Sequence, residues 1–488
     1  MTRIASPVPS SPRPGRPSRP GRFIRAAGAA LIGLSATFAQ ATPLPEAIAA
    51  PLARAGIPEA AASFFVAGVD DSQAFLEVNA QRAMNPASTM KLVTTYAALE
   101  VLGPAFTWKT RVSVGAAPHA GVLDGDLYIK GSGDPDLVLE RFWLLLGQVR
   151  ARGVREIRGD VVIDRTLFEA HESDPGQFDG EPFRPYNVTP DPFLLNFKSI
   201  DLGFVPDEAL HEIRVISEPA IAGQQIGSVR YLDGACGDWK AKLNPDFTNP
   251  EHLTFVGGFP GACGERHLPV SVYSHSGYAT ALFKTLWSEL GGTLLGTVRD
   301  GVAPTEALPL YDAESPSLAE VIREINKYSN NVMAKELYLD LSAELLKLPG
   351  SAERSQRVIT SFLAGHGLKF PELVTENGSG LSRIERISAQ SMGRLLQNAW
   401  ASSAMPEYVA SLPVVGVDGT MRRRLATERI AGQAHIKTGT LADVRAVAGY
   451  LRAASGKSYV VVSFINHPNS GLAQPVQDAF LQWIYEHG

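Results

Sequence analysis

Apolar and polar residues alternate over several short stretches of the chain, a pattern that is typical of β-strands. Such stretches lie within residues 60–80 and 110–130, with segments such as ASFFVAGV and GDLYIKGSG. Nearer the C-terminus, VRAVAGYLRA and KSYVVVSFIN are apolar, β-branched runs separated by ASG. We therefore expect strands in the first two stretches and a β-hairpin near the C-terminus.

Other segments show the wider apolar spacing that indicates helices. LVTTYAALEVL fits a buried helix, because its small residues allow close packing. Residues 165–265 are rich in proline, glycine and asparagine, and predict an irregular inserted domain. The remaining helical patterns cover residues 137–153, 278–292, 317–346, 389–402 and 476–488.

The first residues differ in composition from the rest of the chain. Residues 1–25 contain six arginines, several prolines and no acid, and the apolar run AAGAALIGLSATFAQA follows. A basic region, a short apolar region and a small-x-small site ending at Ala41 are typical of a secretory signal peptide, residues 1–41. Its removal would change the net charge from −5 to about −11. An acidic surface argues against nucleic acid as a partner.

The chain has two cysteines, Cys236 and Cys263. In an exported protein an even pair usually forms a disulfide, although two unpaired buried thiols are the alternative.

Ser88 and Lys91 stand one helical turn apart at the start of the buried helix. Asn85 suits an N-cap and Pro86 the first helical position, which would place Ser88 in the first turn beside unpartnered N–H groups. Lys91 would lie on the same face, where a neutral amine could take the hydroxyl proton. Alone, the pair is weak evidence for catalysis, since a lysine at a helix end commonly holds its charge in water.

Two further polar motifs follow. Ser329-Asn330-Asn331 precedes a helical run, and is either a helix cap or a proton-relay hydroxyl with an amide for the substrate. Lys437-Thr438-Gly439 opens the predicted hairpin. A lysine beside hydroxyls can bind a carboxylate, and Gly439 would leave room for an extended peptide.

The order SxxK, SxN, KTG resembles that of penicillin-binding proteins and serine β-lactamases. Ser329 lies 241 residues after Ser88, and Lys437 lies 108 residues after Ser329. With these long intervals, the chain resembles the class C low-molecular-mass penicillin-binding proteins, D-alanyl-D-alanine carboxypeptidase/endopeptidases of peptidase family S13 (DacB type). Further local matches are GSGDPDL, GDVVIDRTLF, ENGSGLSR and LPVVGVDGTMRRR.

The resemblance implies an α+β fold with a transpeptidase-like domain of helices around an antiparallel sheet. That domain would comprise residues 42–107 and 313–488. Residues 108–312 would form two nested, β-rich domains, and the cysteine pair falls where relatives carry a disulfide. No metal or organic cofactor is implied.

The resemblance also implies roles for individual residues. Ser88 would be the nucleophile, and the N–H groups of Ser88 and Thr440 would form the oxyanion hole. Asp164 would contact the amino group of meso-diaminopimelate, and Arg383 would line the same pocket. The remaining implied site residues are Lys91, Ser329, Asn331 and Lys437 for catalysis, with Thr438 and Gly439 for substrate binding.

The implied activity is hydrolysis of peptidoglycan stem peptides and crosslinks in the periplasm, with β-lactams as covalent inhibitors. Two alternatives remain: a serine β-lactamase or esterase of the same fold, and a non-catalytic murein-binding protein. The sequence leaves the oligomeric state open, with a homodimer as one alternative. Gly-Ser-Gly at 378–380 is interpreted as a tight turn.

Overall fold

The computed structural model describes residues 43–170 and 174–488, so the predicted signal peptide lies outside the described residues. None of the described helices is long and apolar enough to cross a membrane. The α-helices within these ranges are α1 (Glu46–Arg54), α2 (Lys91–Leu102), α3 (Leu139–Ala151), α4 (Trp239–Leu243), α5 (His275–Glu289), α6 (Leu318–Tyr328), α7 (Asn331–Leu346), α8 (Ala352–Gly365), α9 (Ala389–Trp400), α10 (Met405–Ala410) and α11 (Gln474–His487).

The main sheet has five antiparallel strands. In spatial order they are Ala74–Val78, Ala62–Gly68, Ser458–Asn466, Val444–Arg452 and Ala434–Leu441. The predicted hairpin is confirmed, because Val444 pairs with Asn466 and the two strands continue in antiparallel register. Early and late parts of the chain meet in this sheet, where Ala62 pairs with Ile465.

Helices cover both faces of the main sheet, which explains why its strands are nearly continuous apolar runs. On one face Phe64 packs against Phe480 of α11, with ring centroids 5.2 Å apart. On the other face Phe65 joins a core that includes Met392 of α9. Every residue of the strand Ala62–Gly68 is buried as a result.

Helix α2 is buried along most of its length, as predicted. All its residues from Lys91 to Leu99 are buried. The ring of Tyr96 contacts Phe362 of α8 and Tyr408 of α10, with centroids 5.4 Å apart in both pairs. Neighbouring helices therefore surround α2, and the amine at its first residue is enclosed by protein.

Residues between α2 and α6 form further sheets. A mixed five-stranded sheet contains, in order, Val298–Gly301, Val161–Asp164, Leu127–Lys130, Lys109–Val114 and Leu308–Glu314. An antiparallel sheet contains Glu212–Glu218, Ile200–Asp207 and Arg266–Val270. Two small sheets have three short strands each: Glu156–Ile157 lies between Thr293–Leu294 and Val122–Leu123, and His252–Phe255 lies between Gln225–Ile226 and Pro245–Asp246. Arg230–Leu232 pairs with Gly258–Pro260. Outside this region, Ala83–Met84 pairs with Ile387–Ser388.

Two findings concern the region expected to be irregular. Cys236 and Cys263 form a disulfide, with Cα atoms 4.7 Å apart. The two longest strands within residues 165–265, Ile200–Asp207 and Glu212–Glu218, also pair with each other. Neither strand was predicted. In Glu212–Glu218 most residues are partly or fully exposed, so this strand lacks an apolar run. The division of the chain into domains remains a prediction.

Candidate active site

Ser88 lies in a 3₁₀ turn, Ala87–Met90, directly before α2 begins at Lys91. The expected regular helix start at Pro86 was therefore wrong. Ala87 adopts a left-handed conformation, with φ 45°. The side-chain oxygen of Asn85 accepts a hydrogen bond from the Ala87 N–H at 2.8 Å and stabilises this tight turn.

Asn85 also connects the turn to two neighbouring segments through hydrogen bonds. Its backbone N–H donates to Asn466 Oδ1 at 2.8 Å, and Asn466 Nδ2 donates back to the Asn85 carbonyl at 3.0 Å. Its side-chain amide donates to the Ser382 carbonyl at 2.8 Å. The nucleophile candidate is therefore held by the main sheet on one side and by the 376–385 segment on the other.

Lys91 makes three hydrogen bonds although its side chain is fully buried. Its Nζ lies 3.1 Å from Ser88 Oγ, 2.6 Å from Asn331 Oδ1 and 2.5 Å from the Ser379 carbonyl oxygen. Burial lowers the pKa of Lys91 well below its usual value, and the charge of Lys437 lowers it further. Both effects favour the neutral form of the amine, which is the form that a general base requires.

The three contacts define where the lone pair of a neutral Lys91 points. A neutral amine has two N–H bonds and one lone pair. The Asn331 oxygen and the Ser379 carbonyl are acceptors that can take the two hydrogens. The lone pair then faces Ser88 Oγ, which is the partner with a proton to give.

The second motif interrupts the helical pattern predicted over 317–346. Helix α6 ends one residue before Ser329 and α7 begins at Asn331. Ser329 adopts a left-handed conformation, with φ 60°. The Asn330 side chain caps α7 by accepting hydrogen bonds from two of its first N–H groups. The break lets Ser329 and Asn331 contact two different lysines.

Lys437 of the third motif is the second of these lysines. Its Nζ donates to Ser329 Oγ and to the Thr438 carbonyl, both at 2.8 Å. Burial lowers the pKa of Lys437 to about 7. Because the Ser329 oxygen accepts from Lys437, its own proton is free to point toward a substrate. The Thr438 hydroxyl donates to Thr420 Oγ1 at 2.8 Å, which orients it at the strand edge.

Gly439 packs closely against the nucleophile turn. A Cβ at this position would lie 2.8 Å from the Pro86 carbonyl oxygen and 3.0 Å from the Ser88 nitrogen. The missing side chain therefore lets the strand approach the nucleophile turn, and the expected room for an extended peptide remains a prediction. Thr440, the second predicted oxyanion donor, follows on the same strand and is exposed.

The Gly-Ser-Gly segment is the tight turn expected, with φ 69° at Gly378 and 80° at Gly380. Its contribution to the site was not predicted. The Ser379 carbonyl accepts from Lys91, and a Cβ on Gly380 would lie 1.9 Å from the Ala87 carbonyl oxygen. The buried Glu385 holds this turn, since its Oε1 accepts three backbone N–H groups at 2.9 to 3.1 Å. The signal available in the sequence was the pair of glycines that flank Ser379.

Asp164 and Arg383 occupy different settings. Asp164 is 1% exposed, and its carboxylate accepts from the Thr166 N–H, the Thr166 hydroxyl and the Ala303 N–H. Arg383 is half exposed and contacts Asp443. Each described side-chain hydrogen bond of Asp164 is to a neighbouring loop, and none of those partners belongs to the three motifs.

Comparison with known proteins assigns this arrangement to a family. Residues 44–486 match the model of the D-Ala-D-Ala carboxypeptidase 3 (S13) family. The chain belongs to this family. It is 29% identical to the D-alanyl-D-alanine carboxypeptidase of Actinomadura sp. (strain R39), over 98% of this chain and 94% of that protein. It is 25% identical to the D-alanyl-D-alanine carboxypeptidase DacB of Haemophilus influenzae, over 85% of this chain and 87% of that protein.

A solved structure has the same fold. The crystal structure of penicillin binding protein 4 (dacB) from Haemophilus influenzae superposes with a TM-score of 0.78 at 23% identity, covering 90% of this chain and 99% of that one. The predicted S13 resemblance, the α+β class and the enzyme class, a serine-type D,D-peptidase, are thereby confirmed.

Proposed function

We propose that this S13 enzyme hydrolyses D-Ala-D-Ala and D-Ala-diaminopimelate bonds of peptidoglycan through an ester on Ser88. The contact that carries this proposal is the one between Ser88 Oγ and the buried Lys91 Nζ, 3.1 Å apart. Lys91 takes the hydroxyl proton while Ser88 Oγ attacks the scissile carbonyl carbon. The N–H groups of Ser88 and Thr440 stabilise the oxyanion that forms.

Collapse of this intermediate breaks the C–N bond and requires a proton on the leaving amine. Ser329 supplies it, and recovers a proton from Lys91 or from Lys437, which lies 2.8 Å away. Asn331 binds the acyl part of the peptide through its Nδ2 group, because its oxygen is already bonded to Lys91. Lys437 and Thr438 hold the terminal carboxylate. Water then hydrolyses the ester and regenerates the Ser88 hydroxyl.

The proposed substrates are stem peptides that contain meso-diaminopimelate. Arg383 supports this class, because a half-exposed guanidinium near the nucleophile turn suits a free carboxylate. We also propose that the protein is exported to the periplasm after cleavage near Ala41. The basic and apolar leader and the disulfide both support export.

Mass spectrometry after brief exposure to benzylpenicillin tests the proposal. We expect one penicilloyl adduct on the peptide that carries Ser88, and none in Ser88→Ala. Ser455→Ala is the matched control, since Ser455 is exposed in a turn of the C-terminal hairpin. No adduct and no penicillin turnover would contradict acyl-enzyme chemistry and favour a murein-binding role. No adduct with rapid turnover would indicate a β-lactamase.

A further inference from the structure

Four carboxyl side chains lie together in the protein interior, where helix α7 contacts loops of the segment between α2 and α6. Glu336 and Asp340 stand one helical turn apart on α7, and both are fully buried. The Asp191 N–H donates to Glu336 Oε1 at 2.6 Å. A Cβ on Gly133, the neighbour of Asp134, would overlap Asp340 Oδ1. Asp134 and Asp191 are themselves 4% and 8% exposed, so all four carboxyls are withdrawn from water.

Positive charge balances one of the four, Asp191. Its carboxylate contacts Arg165, which also pairs with Asp300 at 2.9 Å, and the His275 ring lies 3.9 Å from Asp191. Lys198 faces Asp191 as well, and the charge of Asp191 offsets part of the lowering of the Lys198 pKa by burial. Asp191 can therefore stay ionised inside the protein.

Three of the carboxyls form no ion pair within residues 43–170 and 174–488, and we call them the carboxyl cluster: Glu336, Asp340 and Asp134. Two basic side chains near the cluster bind other groups. Lys335 donates to the Val188 carbonyl at 3.1 Å, and Arg141 pairs with Asp136 at 3.2 Å. Glu344 adds a further negative charge beside the cluster. The cluster therefore faces acids without a cation bound to it.

Two oxygen atoms of the cluster, Glu336 Oε2 and Asp340 Oδ1, are buried without a hydrogen-bond partner among the described residues. An ionised carboxylate loses its hydration in such a place without compensation, whereas a protonated carboxyl loses much less. Burial accordingly raises the pKa of both residues well above their usual values, and neighbouring acids raise it further. Burial also raises the pKa of Asp134 to about 7. The cluster therefore holds protons in acid and becomes negative as the pH rises.

Helix α7 connects the cluster to the active site. The helix begins at Asn331, whose side-chain oxygen accepts a hydrogen bond from Lys91 at 2.6 Å. Glu336 follows Asn331 by five residues on the same helix. Because a helix moves largely as a rigid element, a shift of α7 at Glu336 also displaces the contact between Asn331 and the general base.

Asp340 connects the same helix to the mixed five-stranded sheet. Its Oδ2 accepts a hydrogen bond from Trp108 Nε1 at 2.9 Å. The Trp108 N–H donates to Ser315 Oγ at 2.9 Å, and the Ser315 N–H donates back to the Trp108 carbonyl at 3.0 Å. Trp108 and Ser315 directly adjoin two strands of that sheet, Lys109–Val114 and Leu308–Glu314. Ionisation of the cluster therefore acts on the contact between this sheet and α7.

We propose that the carboxyl cluster is a pH-dependent joint between α7 and the mixed sheet. When the cluster is protonated, α7 packs against the loops that carry Asp134 and Asp191, and Asn331 contacts Lys91. When it ionises, repulsion between uncompensated charges loosens this packing, and acylation of Ser88 slows. The three carboxyls are positioning residues, because none of them touches the reacting atoms. The inference rests on the proposed function, since it is acylation of Ser88 that slows.

Acylation by benzylpenicillin at pH 6 and pH 9 tests the joint. Glu336→Gln/Asp340→Asn keeps the shape of both side chains and cannot ionise at these two positions. Lys91 and Lys437 titrate in both proteins, so the ratio of the variant rate to the wild-type rate cancels their effects. We expect this ratio to rise about tenfold from pH 6 to pH 9, since a misplacement of about 1 Å in an active site costs about 100-fold.

Glu353→Gln/Asp124→Asn is the matched control, because these two carboxyls are 80% and 81% exposed, and its ratio should not change with pH. Hydrogen exchange of the wild type gives a second measurement that needs no variant. After correction for the intrinsic exchange rate at each pH, residues 331–346 should lose protection between pH 6 and pH 9, while α11 should keep it.

A ratio that is the same at both pH values would overturn the inference. Equal protection of residues 331–346 at pH 6 and pH 9 would also overturn it, as would a loss of protection that includes α11. A rising ratio together with loss of protection in α7 would support it. Failure of benzylpenicillin to acylate the wild type at either pH would overturn the proposed function, and the exchange measurement would still decide whether α7 responds to pH.

Discussion

Lys437 should lower the stability of the enzyme at neutral pH, and its replacement by methionine should reveal by how much. The lysine is fully buried, and burial lowers its pKa from 10.5 to about 7. Between these two pH values the unfolded chain binds one more proton than the folded chain. Lys437 therefore contributes a rise in the stability of the wild type with pH through this range, and Lys437→Met should remove that contribution.

The expected magnitude follows from the pKa difference. One pKa unit corresponds to about 1.4 kcal/mol, so ionisation of Lys437 disfavours folding by about 4 kcal/mol at pH 7 and by under about 1 kcal/mol at pH 10.5. Methionine also loses the hydrogen bonds to Ser329 Oγ and the Thr438 carbonyl. At about 1 kcal/mol each, these losses leave Lys437→Met about 2 kcal/mol more stable than wild type at pH 7.

Urea unfolding of both proteins at pH 7 and pH 10.5 measures the effect. We expect the difference in unfolding free energy to favour methionine at pH 7 and wild type at pH 10.5. Lys284→Met is the control, because Lys284 is exposed on α5 and its replacement should give the same small difference at both pH values. If the difference for Lys437→Met does not change with pH, Lys437 titrates normally and the reasoning fails.

Three further predictions concern the surroundings of the site. Gly380→Ala would place a Cβ 1.9 Å from the Ala87 carbonyl oxygen and should slow penicillin acylation about 100-fold, whereas Gly432→Ala, with similar φ and open space, should leave the rate unchanged. Burial raises the pKa of Glu336, so the contribution of its protonated carboxyl to the free energy of unfolding is present in acid and lost as pH rises. Urea unfolding should therefore show Glu336→Gln gaining stability over wild type from pH 5 to pH 8. Replacing Cys236 and Cys263 by serine opens a link between residues 27 apart and should lower the unfolding free energy by about 3–4 kcal/mol in the same assay.

The side chains of the site were predictable where the chemistry requires a particular residue at a particular spacing. Ser88 and Lys91 had to be three residues apart to touch at a helix start, and their atoms lie 3.1 Å apart. The order of the three motifs then indicated which distant residues would join them, and Lys437 does contact Ser329. The buried helix α2 and the C-terminal hairpin were predictable from their apolar patterns.

Backbone contributions were not predictable in the same way. The Ser379 carbonyl accepts from Lys91, but any residue supplies a carbonyl, so side-chain identity carries no signal for it. The 3₁₀ turn at Ser88 depends on an unusual φ at Ala87, a residue with no preference for it. The break at Ser329 also depends on an unusual φ, and helices continue on both sides of it. The helical pattern of the sequence therefore did not indicate the break.

Glu385 links the shape of the site to the strength of its base. Its carboxylate accepts three backbone N–H groups, and these shape the turn whose Ser379 carbonyl binds Lys91. The same negative charge opposes the lowering of the Lys91 pKa by burial and by Lys437. An apolar residue at this position would leave three N–H groups without a partner and push the Lys91 pKa lower still. Removal of this one buried carboxylate is therefore expected to change both the position and the basicity of Lys91.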